Sequence, residues 1–119
     1  MSAAATWLMD RAWEAETVFD LLGNELVREL LVLTSVEPLS AEELAEHCSA
    51  SRPTVYRRLD SLEEYDLVGV HTEYDEEGNH YQSYECRLED AHISVEDGGF
   101  TVDITLRRDP VGDADLPDG

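Results

Sequence analysis

Two helix starts lie eleven residues apart near the middle of this chain, and the pair of helices they open governs the reading of the rest. Ser40 is followed three residues later by Glu43, the reciprocal capping-box pattern in which a hydroxyl and a carboxylate each satisfy a backbone N–H at a helix start. The helix it predicts runs through about Cys48, with Ala41, Leu44, Ala45 and Cys48 inward. After a three-residue turn, Ser51 is the next N-cap, and Pro53 suits a first helical turn, where a missing N–H costs little. This second helix runs to about Tyr65. At about 100° per residue, Val55, Leu59 and Leu62 form one stripe, Arg52 and Tyr56 border it, and Pro53, Arg57 and Asp60 face away.

Upstream, residues 3–22 predict a helix whose apolar positions Ala5, Leu8, Ala12, Ala15, Phe19 and Leu22 alternate steps of three and four. Asn24 caps another, with Leu26, Val27, Leu30, Leu31 and Leu33 apolar and Pro38 ending it. From Leu67 the period changes to two. "LVGVHTEY" and "HYQSYECRL" flank "DEEGN" over residues 67–88, pairing Val68 with Cys86 and Val70 with Tyr84 on one apolar face. A second hairpin at 91–107 turns either at Asp97-Gly98, setting Val95 opposite Phe100, or at Gly98-Gly99, and the pattern leaves both open. Residues 109–119, "DPVGDADLPDG", have no period and read as an acidic flexible tail. At 119 residues the chain is expected to form one domain, 1–108, around one modest core.

Short helices at 40–65 followed by a β-hairpin are the layout of a winged helix-turn-helix, here in an α+β chain with an N-terminal helix and a second C-terminal β-hairpin. Charge supports that layout. The chain carries 28 acidic residues against 8 basic ones, all arginine, for a net charge of −20. Yet "SASRPTVYRR", residues 49–58, holds three arginines and no acid. On the N-terminal half of a recognition helix, a guanidinium can bond guanine O6 and N7 or a phosphate. An acidic excess spread through a whole chain is also the composition of proteins that work in molar salt, where repulsion is screened within about 3 Å.

The stretch "VFDLLGNELVRELLVLTSVEPLSAEELAEHCSASRPTVYRRLDSLEEYDLVGV" resembles the ArsR-like winged-helix transcriptional regulators of prokaryotes, and with the acidic composition it is similar to a haloarchaeal member. The resemblance spans roughly residues 17–88 and is carried by Leu22-Gly23, Leu39-Ser40, Glu43-Leu44-Ala45, Ser51, Thr54-Val55, Arg58-Leu59, Leu62 and Gly69. It implies a homodimer on double-stranded DNA, reading a partly palindromic site with Ser51, Arg52, Thr54, Tyr56 and Arg57 over the groove. Arg58, nearer the helix border, meets phosphate or an acidic neighbour. Tyr81 on the wing either packs on the surface or touches the minor groove or backbone. The stripe from Ala5 to Leu22 either packs on the chain's own sheet or forms the dimer seam, the second favoured by how little core a small domain has to hide Trp7, Trp13 and Phe19; otherwise the seam is expected on a strand face of Phe100, Val102, Ile104 and Leu106.

Other functions find little to stand on. Metal-sensing relatives carry cysteines where the helix at 41–48 begins, and this chain reads "LSAEELAE" there; His71 and His80 point to opposite faces of the hairpin, so neither a metal site nor a cofactor is expected. Cys48 and Cys86 have no CxxC partner. No hydrolase, P-loop or zincin motif supports an enzyme, and the pairs Glu42-Glu43, Glu63-Glu64 and Glu76-Glu77 are expected on solvated surface, not around a pocket. "DRAWEAE" interrupts any apolar leader and no apolar run suits a membrane span, so a soluble cytoplasmic protein is expected, with its effector left open. The reading from a different class is a winged-helix module for protein–protein interaction, for which Asp60, Glu63 and Glu64 at the far end of the second helix speak.

Overall fold

The computed structural model describes residues 4–9 and 12–107, with side chains from residue 15 onward. In chain order the elements are β1 (Ala4–Met9), α1 (Ala12–Leu22), α2 (Glu25–Val36), β2 (Leu39–Ser40), α3 (Ala41–Cys48), α4 (Arg52–Glu64), β3 (Val68–Tyr74), β4 (His80–Cys86), β5 (Leu88–Glu96) and β6 (Gly99–Arg107). They form an α+β chain with a winged helix-turn-helix at its centre. By compactness the chain divides into two units, Leu21–Cys86 and Met1–Asp20 with Arg87–Gly119. The tail expected at 109–119, and the side chains of Trp7 and Trp13, lie outside the described residues.

In the central unit each helix start is closed by its own side chain. Asn24 Oδ1 accepts from Val27 N–H at 3.0 Å. At α3 the capping box is complete: Glu43 N–H donates to Ser40 Oγ at 3.1 Å, and Ser40 N–H donates to Glu43 Oε1 at 2.9 Å. Thr34, buried on α2, donates its hydroxyl to the Leu30 carbonyl at 2.7 Å, which is how a polar group tolerates that position. At the end of α4, Asp66 takes a left-handed φ of 61° and Leu67 N–H returns to the Leu62 carbonyl at 2.9 Å, turning the chain into the wing. The apolar stripes meet here. Val27, Leu30, Leu44, Val55, Leu59, Leu62, Leu67 and Val68 are all buried, as are Tyr84 and Cys86 on β4.

The wing has the predicted register, Val68 opposite Cys86 and Val70 opposite Tyr84. Its five-residue loop is held by Asp75, whose carboxylate accepts from the N–H groups of Glu77 and Asn79 at 2.9 Å each, while Gly78 supplies a φ of 85°. The sheet gains an unpredicted third strand. Leu39 and Ser40 pair with Tyr84 and Ser83, so the residue that caps α3 is also tied to the wing.

The other unit overturns one expectation. The predicted helix at 3–22 forms only from Ala12; Ala4–Met9 is a strand, antiparallel to β6, with Ala5 opposite Leu106 and Trp7 opposite Ile104. Short apolar runs are ambiguous between periods, and here pairing with an open sheet edge outweighs helical spacing. The sheet order is β1-β6-β5. The hairpin turns at Asp97-Gly98, both left-handed (φ 52° and 80°) as a type I′ turn requires, which sets Val95 opposite Phe100 and Ile93 opposite Val102. Its first strand begins at Leu88 instead of Ala91, with a bulge before Asp90. Phe19 packs edge-on against Phe100 at 5.0 Å, and Val102, Ile104 and Leu106 are buried.

Leu59 is fully buried at the middle of the α4 stripe. Leu59→Ala should destabilise the central unit by about 2–5 kcal/mol through lost burial and a residual cavity, measured as a lowered midpoint in urea. A shift within error of zero would show that α4 does not pack through this stripe.

Candidate nucleic-acid interface

The rotation of α4 is fixed by Val55, Leu59 and Leu62, each 0% exposed, so its remaining faces are presented outward. Arg52, Pro53, Tyr56, Arg57 and Asp60 are exposed, in agreement with the helical-wheel expectation. Ser51 caps the helix: its Oγ accepts from Thr54 N–H at 3.3 Å and donates to Thr54 Oγ1 at 2.9 Å. Ser51 and Thr54 therefore already have a shared structural task at the helix start.

The arginines differ in their surroundings. Arg52 meets Glu42 of α3 at 3.3 Å, both side chains more than 60% exposed, a pair weak enough to exchange for another anion. Arg57 is exposed, and its carbonyl accepts from the Ser61 hydroxyl at 3.3 Å. Arg58 is half-buried, and its Nε is buried without a hydrogen-bond partner, so the acidic neighbour expected for it is not supplied at that atom.

Charge along α4 runs against the helix's own interest. The first turn has no acid and the last turn no base. Arg52 stands at the positive end of the helix dipole and Glu63 with Glu64 at the negative end, each the sign that costs helix stability. At the helix start Pro53 has no N–H and Thr54 N–H is taken by Ser51, so the positive charge offered there is chiefly that of the arginine side chains.

The wing has the opposite character. From Val68 to Cys86 it carries Glu73, Asp75, Glu76, Glu77 and Glu85 and no basic residue except histidine. Three of these are engaged: Glu85 Oε1 lies 2.9 Å from His71 Nε2, Ser83 donates to Glu73 at 2.8 Å, and Asp75 accepts from Glu77 and Asn79 N–H. Asp75 is held below the usual carboxylate range chiefly by the Asn79 backbone N–H. Tyr81, opposite Glu73, is 46% exposed.

Tyr56 and Tyr81, singled out separately in the sequence, come together at a cleft of about 560 Å³ between the start of α3, α4 and the wing. Tyr84 also lines it, together with Glu42, Glu43 and Asp75. The pair Glu42-Glu43, expected on plain surface, therefore borders a cavity. The period-two pattern could place Tyr84 on a face, but the β2 pairing that brings α3 to the wing has only two residues and no pattern of its own. Among the described residues no group of three His, Cys, Asp or Glu is arranged to hold a metal ion, and no helix is long and apolar enough to cross a membrane.

A family model described as a helix-turn-helix domain matches residues 22–71, from the end of α1 through α4 into the first wing strand. No curated protein matches the chain. The helix-turn-helix match supports a DNA-binding regulator of transcription in general.

Ser51→Ala removes both bonds at the start of α4 and should cost about 1 kcal/mol, read as a lower urea midpoint with an unchanged slope. An unaltered midpoint would mean the cap contributes nothing to the helix.

Proposed function

We propose that this protein is a homodimeric, ArsR-like transcriptional regulator of haloarchaeal type that reads a partly palindromic duplex site through residues 51–65. It has no enzymatic role and acts in the cytoplasm. The observation that carries this reading is the charge of α4: exposed arginines occupy its N-terminal half, with Arg52 at the dipole's disfavoured end, in a chain of net charge −20. Such a placement weakens the helix, and contact with a polyanion offsets that cost. Arg57 reads a base edge, Arg52 exchanges Glu42 for DNA, and Arg58, half-buried at the helix border, meets phosphate. Ser51 and Thr54 position the helix start against the backbone, while Tyr56 and Tyr81 border the groove.

Pairing of two copies is supported by the exposed apolar side chains Ile93, Val95 and Phe100 at the turn end of the second hairpin. Val102, Ile104 and Leu106, the other part of that strand face, are already buried within one chain. The acidic wing favours a second reading, a winged-helix module that docks a basic protein and leaves DNA alone.

Selection from a random duplex pool, followed by fluorescence anisotropy, separates the two. The regulator should enrich a partly symmetric site, and Arg57→Ala should lower discrimination at one base pair by about 1–3 kcal/mol with an unchanged circular dichroism spectrum. Enrichment of no sequence, or an Arg57→Ala protein with the same preference, would overturn the assignment.

A further inference from the structure

The cleft between α3, α4 and the wing has a chemistry of its own. Its aromatic walls are Tyr56, Tyr81 and Tyr84, and its carboxylates are Glu42, Glu43 and Asp75. Aromatic faces present negative potential, and carboxylates around them add to it, so the combination favours a cation that also has apolar or planar surface to stack. The volume of about 560 Å³ lies within the range of small-molecule sites. Each carboxylate has a local bond: Glu43 in the capping box, Asp75 in the wing loop, Glu42 with Arg52. Only Glu42 has a cationic partner among these, and that partner is exposed and exchangeable. His80 also lines the cleft and lies edge-on to Tyr74 at 4.4 Å.

Tyr84 is the deepest of the three tyrosines, 4% exposed, and its hydroxyl has a 3.4 Å contact to Gln82, longer than an ordinary O–H···O bond. Burial raises its pKa, and Tyr56, Glu63 and Asp60 push it the same way, so acids on α4 extend the negative field to this wall. A phosphate or a carboxylate ligand would meet repulsion from Glu42, Glu43 and Asp75, the charged carboxylates of the lining.

We propose that this cleft binds a small organic cation, an alkylammonium or guanidinium compound, held by cation–π contact with Tyr56 and Tyr81 and by the carboxylates of Glu42, Glu43 and Asp75. Occupancy reaches the DNA-facing helix directly. Tyr56 belongs to α4, and a cation that takes over Glu42 releases Arg52. This coupling rests on the DNA-binding reading above, whereas the binding site itself does not.

Titration calorimetry on the full chain, without DNA, tests the site: putrescine, agmatine and tetramethylammonium as probes, with succinate and glycerol as anionic and neutral controls. At least one organic cation should bind saturably with Kd below about 1 mM, the controls should give no saturable heat, and Tyr81→Ala and Glu42→Gln should each weaken binding about five-fold or more. Circular dichroism confirms that both variants remain folded. Absence of saturable cation binding, equal binding of succinate, or affinity unchanged in two folded variants would each overturn the proposal. Duplex anisotropy with and without the bound cation then reads the coupling separately: an altered DNA affinity supports it, and an unaltered one limits the cation to a site without influence on α4.

Discussion

The burial of Val55, Leu59 and Leu62 is the constraint on which the rest depends. These side chains are fully enclosed, and α4 packs against both α3 and β3, so the helix cannot rotate without exposing them. Which α4 residues face outward follows from that single lock. With it in place, the α4 arginines are displayed and Tyr56 is carried to the edge of the cleft. Ser40 adds the second constraint, because one residue caps α3 and pairs with Ser83, fixing the start of that helix beside the wing.

On this frame the charge of α4 does little for internal stability. The ion pair between Arg52 and Glu42 is exposed and contributes little to folding. The dipole of α4 would be better served by acids at its start and bases at its end, and the chain has many acids available yet places none there. The acidic wing completes the contrast: arginines stand on the N-terminal half of α4, while the neighbouring hairpin carries Glu73, Asp75, Glu76, Glu77 and Glu85.

Much of this was legible in the sequence because it rests on local chemistry. Ser40 with Glu43, Ser51 with Pro53, and the alternation around "DEEGN" each specify their structure within a few residues, and all form as expected. The second hairpin was ambiguous by two residues until the left-handed pair Asp97-Gly98 decided its register. What the sequence concealed depends on distant partners. Ala4–Met9 satisfies a helical spacing and becomes a strand only because β6 has an edge to pair, and the two-residue β2 has no periodicity at all. The cleft was hidden for the same reason: Glu42 and Tyr81 stand far apart in the chain, and long-range packing, the β2–β4 pairing included, brings them to one cleft.

In the proposed function a few arginines on α4 attract DNA while the remaining charge repels it, and that balance is read in the salt dependence of duplex affinity. At about 0.01 M ionic strength the Debye length is about 30 Å and nearly every carboxylate is felt; at about 1 M it is about 3 Å and only groups in contact count. Repulsion is thus screened before contact is lost. Affinity for the selected duplex should rise with KCl from about 0.1 M toward about 1 M, with circular dichroism at each concentration separating folding from binding. A steady fall in affinity on a protein folded throughout, the ordinary signature of counterion release, would contradict the account.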